Sequence, residues 1–267
     1  MDPAAYFARI GHAGPGDASL ATLRALHLAH VGAIPFENLD VLLGRGIRLD
    51  LDAIERKLVH DRRGGYCFEQ NTLFAAVLRE LGFRVTPLLA RVRWNTPVGL
   101  RTPLTHMVLR VEVDGRPWLA DVGFGSIGTT APLALDTAAK QETPHEPRRL
   151  VEDGGRVRHQ VRIGETWQDV YEFRLEEPAT MDFEMGNWFS CSHPKSHFMN
   201  NLVAARAERD RRVLVFNREF TQRHRDGRVE KRDLASPDEL LNVLATHLGL
   251  HFPAGTRFGP PGAPWPT

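Results

Sequence analysis

Arg62-Arg63-Gly64-Gly65-Tyr66-Cys67-Phe68-Glu69-Gln70-Asn71 places one of the chain's two cysteines at the start of a helix. From Phe68 onward, apolar residues recur at Leu73, Phe74, Val77, Leu78 and Leu81, the period of a half-buried helix, and Gly82 closes it. A cysteine at a helix N-terminus faces unpaired backbone N–H groups and the positive end of the dipole, both of which favour thiolate. Gly64 and Gly65 let the backbone turn tightly before it and leave the sulfur uncovered. Cys67 is therefore a candidate nucleophile. The same placement also suits a buried structural cysteine in a helix-opening turn.

Working outward, the segment from residue 1 to about 88 reads as helical. Asp17 or Ser19 caps a helix whose Leu20, Leu23, Leu26 and Leu28 are expected to face a core, and Asp50 caps another through Ile54 and Leu58. Between them, the proline of Ile34-Pro35-Phe36-Glu37-Asn38-Leu39-Asp40 interrupts the helix. Near residue 84 the period changes to two. Arg84 to Trp94, Thr105 to Val113, Arg116 to Ala120, Arg156 to Ile163 and Val170 to Leu175 read as strands of a small antiparallel barrel or sandwich ending near 195. Asp136 to Gly155 reads as an exposed loop. In the last part, Arg212 to Phe216 and Glu219 to His224 are strands. Ser236-Pro237-Asp238-Glu239 then opens a helix through Leu248 that Gly249 ends, and Pro253 to Thr267 reads as irregular or mobile.

A thiolate nucleophile requires a proton acceptor, usually His, held in turn by a carboxylate or amide. The chain has 12 histidines, so proximity in sequence decides nothing. A hairpin does. Asp114-Gly115 is a two-residue turn signal, which pairs Val113 with Arg116 and sets His106 opposite Gly123. Asp121, two residues from that partner, then shares a face with His106 at a diagonal distance of about 7–8 Å between backbones. Met107, Leu109, Val111 and Val113, with Trp118, Ala120 and Val122, occupy the opposite face and read as core-facing. The polar pair is thus expected to point away from the barrel core, toward the helical segment holding Cys67.

Composition bounds the alternatives. The chain has 267 residues, 42% hydrophobic and 25% charged, with a formal net charge of +1, which argues against a dedicated nucleic-acid binder. Its apolar runs are too short to span a membrane, and MDPAAYFARIG lacks the basic-then-apolar pattern of a signal peptide. Two cysteines make no disulfide framework and suit a reducing, cytoplasmic setting. Cys191-Ser192-His193-Pro194-Lys195-Ser196-His197 offers one Cys and two His without a second cluster at ligand spacing, so no metal is expected. VGFGSIG is followed by no Gly-Lys-Ser/Thr and is not a phosphate loop.

IPFENLD, RRGGYCFEQN, THMVLRV, DVGFG and NWFSCSHPKSHFMNNLVAAR, in this order, resemble the arylamine N-acetyltransferases, in particular the bacterial members, over nearly the whole chain. The resemblance implies an α+β fold of papain- and transglutaminase-like kind: a helical bundle (1–88), an antiparallel β-barrel (89–195) and an α/β lid (196–267). It implies a Cys67–His106–Asp121 triad and acetyl-CoA as acyl donor, with no bound cofactor. An acetyl-cysteine would pass its acyl group to an arylamine, hydrazine or hydroxylamine. Glu37 and Arg63 are implied as a structural charge pair. Phe36, Phe124, Phe198 and Thr105 are implied at the acceptor, and Thr102, Gly125 and Ser126 at CoA. Many bacterial relatives place another aromatic shortly after the FG, where this chain reads Ser126-Ile127-Gly128-Thr129-Thr130. The partners expected are small molecules, without nucleic acid or membrane, for a monomer or homodimer. Amide synthases acting on carrier-bound polyketides, a protease or transglutaminase, and a non-catalytic binder of small aromatics are the competing readings.

Overall fold

The computed structural model of the chain describes residues 1–259 apart from Pro15 and Val98, so the expectation for 260–267 lies outside the described residues. Helix α1 (Pro3–Ile10) starts at Asp2, whose carboxylate accepts the Ala4 N–H. Helix α2 (Leu20–Ala33) starts at Ser19, whose hydroxyl accepts the Thr22 N–H, while Asp17 accepts from the hydroxyls of Ser19 and Thr22. The residue before a proline is pushed out of helical geometry, so the chain leaves α2 ahead of Pro35 and runs extended as β1 (Phe36–Glu37). Short helices α3 (Leu39–Leu42) and α4 (Leu51–Glu55, continued by a π-helical turn to His60) lead to α5 (Cys67–Glu80). Leu73, Phe74, Val77 and Leu78 of α5 are each 0% exposed, a burial worth about 1.5–3 kcal/mol per side chain.

The seven-stranded antiparallel sheet comprises β2 (Arg84–Val92), β3 (Leu104–Val113), β4 (Arg116–Ala120), β5 (Leu133–Ala134), β6 (Arg148–Asp153), β7 (Arg156–Ile163) and β8 (Thr166–Phe173). Its order is β5-β4-β3-β2-β8-β7-β6. Gln141 nearly closes the barrel, pairing its backbone with Arg148 of β6 and its side-chain amide with the backbone of Ala134 in β5. Asp114 and Gly115 have φ of 50° and 75°, the left-handed pair of a tight hairpin turn, and Val113 pairs with Arg116.

Three expectations fail here. Asp136 to Gly155 is not wholly a loop, because Arg148–Asp153 forms β6 and buries the whole Arg148 side chain. The sheet faces are also exchanged. Met107, Leu109, Val111, Trp118 and Ala120 pack against the helices, whereas Val108 and Leu119, on the face of His106, line the barrel interior. Both faces of β3 are covered, so alternation alone does not tell the barrel side from the helix side. Finally, the ladder ends at Ala120, so His106 pairs with Ala90 of β2 rather than standing opposite Gly123.

A helix absent from the sequence reading, α6 (Thr180–Ser192), precedes residue 195 and packs on β3. It is followed by α7 (His197–Asn200), β9 (Val203–Ala207), β10 (Arg211–Phe216), β11 (Glu219–His224), β12 (Val229–Asp233) and α8 (Pro237–Leu248). The second sheet has the order β1-β9-β10-β11-β12, with α8 burying Leu240, Val243, Leu244 and Leu248 against it. Its edge strand β1 comes from the helical segment, pairing Phe36 with Ala205 and Glu37 with Ala204. Bundle, barrel and lid sheet together make an α+β fold. No helix among the described residues is long and apolar enough to cross a membrane.

Candidate active site

Cys67 is the first residue of α5 and is 3% exposed. The turn before it is held from below. The Glu69 carboxylate accepts the Tyr66 N–H at 3.0 Å and the Lys57 ammonium at 2.7 Å. Lys57 also bonds Asp40 at 2.8 Å, and Arg63 joins Asp40 at 3.2 Å to Glu37 at 2.7 Å. Burial raises the Glu69 carboxyl against the pull of Lys57. Arg63 thereby connects the Phe36 segment to the turn, and its guanidinium also lies 4.6 Å from the Phe252 ring centroid. Gly64 and Gly65 serve close approach here: a Cβ on Gly64 would stand 2.1 Å from the Pro35 carbonyl oxygen, and one on Gly65 2.7 Å from Glu69 Oε2.

The hairpin brings in the other two groups. His106 Nε2 and Asp121 Oδ2 are 2.8 Å apart, and since a carboxylate only accepts, the Nε2–H donates. That leaves Nδ1 as the ring nitrogen open to a second partner, and Cys67 lines the same cleft as this ring. The sulfur is also 3.5 Å from the Thr105 carbonyl oxygen. Burial alone would strip the proton from His106, but the Asp121 charge and hydrogen bond, with the Cys67 contact, push its pKa up to about 10. Burial opposes ionisation of Asp121 as well. His106, the Asn71 amide and the Gly123 N–H outweigh it and hold the carboxyl well below the usual carboxylate range. Phe124 meets the His106 ring edge-on at 5.1 Å and Tyr171 lies tilted at 4.9 Å, so aromatic rings pack against the imidazole from both β8 and the segment after β4. A Cβ on Gly123 would come within 2.7 Å of the Cys67 Cα, which is how closely the strand end approaches the helix.

Cys67 and His106 open onto a cleft of about 780 Å³ between barrel and lid. Phe36, Thr102, Thr105, Phe124, Ser126 and Phe198 line it, whereas Gly125 does not. Gly125, at φ 84°, stands behind Phe36, where a Cβ would meet that ring at 2.9 Å. The Phe198 ring centroid is 5.8 Å from that of Phe36 and 5.7 Å from that of Tyr66. Thr102 donates its hydroxyl to the Val92 carbonyl at 2.7 Å. Arg212 of β10 bonds the Gly128 and Ser126 carbonyls and Glu146, linking lid to barrel beside the cleft. His193 stacks on Phe189 and His197 on Phe216, so the histidines near Cys191 are engaged with rings. Among the described residues no three His, Cys, Asp or Glu side chains are grouped to hold a metal.

The sequence model of the N-acetyltransferase family matches residues 19–256. The arylamine N-acetyltransferase of Escherichia coli (strain K12) is 45% identical over 246 residues, covering 92% of this chain and 87% of that protein. The chain belongs to the arylamine N-acetyltransferase family. It is similar to the solved arylamine N-acetyltransferase of Mycobacterium marinum with a TM-score of 0.90 and 41% identity, covering 93% of this chain and 92% of that one. The arylamine N-acetyltransferase of M. marinum in complex with CoA superimposes with a TM-score of 0.89 at 40% identity, covering 93% and 92% of the two chains. The protein is an acyltransferase of this family.

Three residues of this arylamine N-acetyltransferase site were not assigned a role from sequence. Asn71 bonds Asp121, His27 Nε2 accepts the Asp121 N–H at 3.2 Å, and Tyr171 backs the His106 ring. Asn71 follows Cys67 by four residues on a helix, one turn along the same face, and that spacing was the available signal. His27 and Tyr171 come from distant elements and carried none.

Proposed function

We propose that this acetyltransferase works by a ping-pong mechanism through an acetyl-cysteine on Cys67. His106 and Asp121 complete the triad. The observation that carries this reading is the His106 ring, bonded to Asp121 at 2.8 Å, lining one cleft with Cys67. The Cys67 thiolate attacks the thioester carbon of acetyl-CoA, and backbone N–H groups at the start of α5, including that of Cys67, take the developing oxyanion. CoA leaves as its thiolate and receives the His106 proton. An arylamine, arylhydrazine or arylhydroxylamine then attacks the acetyl-cysteine. Neutral His106 takes its proton as the amide forms and Cys67 departs as thiolate, so each cycle restores the starting ion pair. A thioester intermediate keeps the activation of the donor, which an oxygen ester would lose.

The aromatic wall of Phe36, Phe124 and Phe198, with Thr105, is proposed to receive the acceptor ring, and Thr102 and Ser126 to flank CoA. That the M. marinum relative was solved with CoA supports the donor assignment. The division into bundle, barrel and lid near residues 88 and 195, the structural role of the Glu37–Arg63 pair and a cytoplasmic setting belong to the same proposal. Mass spectrometry of the protein quenched rapidly after acetyl-CoA alone tests it. One added acetyl group on the Cys67 peptide is expected, with parallel double-reciprocal plots in steady state. An unmodified Cys67, or lines that intersect, refutes it.

A further inference from the structure

We infer that Asn71 is the positioning residue that sets the distance between the nucleophile's helix and the His106–Asp121 pair. The inference rests on the triad reading above. Asn71 is 0% exposed and lies one turn after Cys67 on α5. Its Nδ2 donates to Asp121 Oδ1 at 3.0 Å and to the Met107 carbonyl at 2.8 Å. Its Oδ1 accepts the Val122 N–H at 3.1 Å. One amide therefore grips three points, namely the residue after His106 on β3, the triad carboxylate, and the residue after that carboxylate.

The chemistry requires an amide. Two donors and an acceptor are demanded within one small side chain, and only Asn supplies them at this length. A carboxylate in its place would set a second negative charge beside Asp121 and raise one of the two pKa values, weakening the hold on the His106 proton. An apolar residue would leave the buried Val122 N–H and Met107 carbonyl unpaired, at a cost of about 1–3 kcal/mol for each such group. Asp121 Oδ1 would retain only the Gly123 N–H, at 2.9 Å. The other titratable groups around Asp121 are His106 on Oδ2, Tyr171 of β8, whose hydroxyl burial pushes up, His159 of β7, which burial pushes down, and His27, which burial holds down to about 4 and so keeps neutral at the Asp121 N–H. None substitutes for a donor fixed to the helix of Cys67.

The test compares Asn71→Ala and Asn71→Ser with Leu78→Ala, a core truncation seven residues further along the same helix. Each variant is followed by thermal unfolding, by kcat and acetyl-CoA KM, and by the pH dependence of iodoacetamide labelling at the Cys67 peptide. For Asn71→Ala, kcat is expected to fall at least about tenfold with KM changed less than about threefold, as for a group acting after binding. The pH of half-maximal Cys67 labelling should rise by about half a unit or more, because the imidazolium partner is less firmly held. Asn71→Ser should fall between it and wild type. Leu78→Ala should melt earlier yet keep the wild-type labelling profile. The inference is overturned if Asn71→Ala follows wild type, or if it changes no more than Leu78→Ala. Should Asn71→Ala fail to fold, Asn71→Ser is judged by the same criteria. A wild-type Cys67 that labels no faster than Cys191 would instead bring down the triad reading itself.

Discussion

The chain's two cysteines occupy opposite helix ends. Cys67 opens α5 at the positive end of its dipole, buried, with an imidazole held by a carboxylate beside it. Cys191 lies in the last turn of α6 at the negative end, half-buried, with its sulfur 3.4 Å from the Ser192 hydroxyl. The two thiols are chemically identical until the surrounding elements are added. What separates them is therefore the hairpin that delivers His106 and Asp121 to one helix start and nothing comparable to the other helix end.

The largest break in this comparison is expected from Cys67→Ala, which should lower acetyl transfer at least about a thousandfold. Measured turnover above that residue would relocate the nucleophile. Asp121→Asn should cost about a hundredfold to ten-thousandfold in kcat, because His106 would lose both its fixed tautomer and its counter-charge. A rate near wild type would remove Asp121 from the mechanism. Gly123→Ala forces a Cβ to 2.7 Å from the Cys67 Cα, and denaturant titration should show a loss of about 1–3 kcal/mol together with reduced activity.

A smaller effect concerns pH. The folded protein holds the His106 proton up to about pH 10, above the unfolded value near 6.5. The corresponding stabilisation is fully present below about pH 6.5 and is lost as pH rises through 10. Thermal unfolding of wild type and His106→Asn should thus converge between these limits, and a constant gap would mean the ring carries no charge. The smallest effect is that of Cys191→Ala, for which turnover within about twofold of wild type is expected. A larger loss would erase the contrast between the thiols.

Where local chemistry dictates the backbone, the sequence was readable. Asp114-Gly115 specified a turn with two left-handed residues, and the hairpin register followed from it. Pro35 ended α2, and Ser236 with Glu239 started α8, the Ser236 hydroxyl accepting the Glu239 N–H at 3.1 Å. Helix α6 escaped because its pattern is inverted. Met181, Met185 and Trp188 are exposed, whereas Gly186, Asn187 and Ser190 are buried, since a Cβ on Gly186 would stand 2.8 Å from the Phe68 ring. Strand β12 reads Val-Glu-Lys-Arg-Asp, fully exposed at a sheet edge, where charge discourages further pairing and hides the strand period. Within the candidate site, the convergence of Cys67, His106 and Asp121 was legible because a helix start and a hairpin are local. The placement of Gly125 behind Phe36 depends on the pairing of β1 with β9, across more than half the chain.

That pairing has a consequence for how the enzyme can be cut and recombined. Phe36 is flanked on one side by Ala205 of the lid and on the other by Gly65 of the turn before Cys67, whose carbonyl accepts the Glu37 N–H at 3.0 Å. The lid sheet thus takes one edge strand from the other end of the polypeptide, and that strand touches the turn before Cys67. A lid taken from a relative would have to match the donor's β1 as well as its own sequence. Chimaeras joined near residue 195 should therefore fold and turn over only when the 35–40 segment travels with the lid.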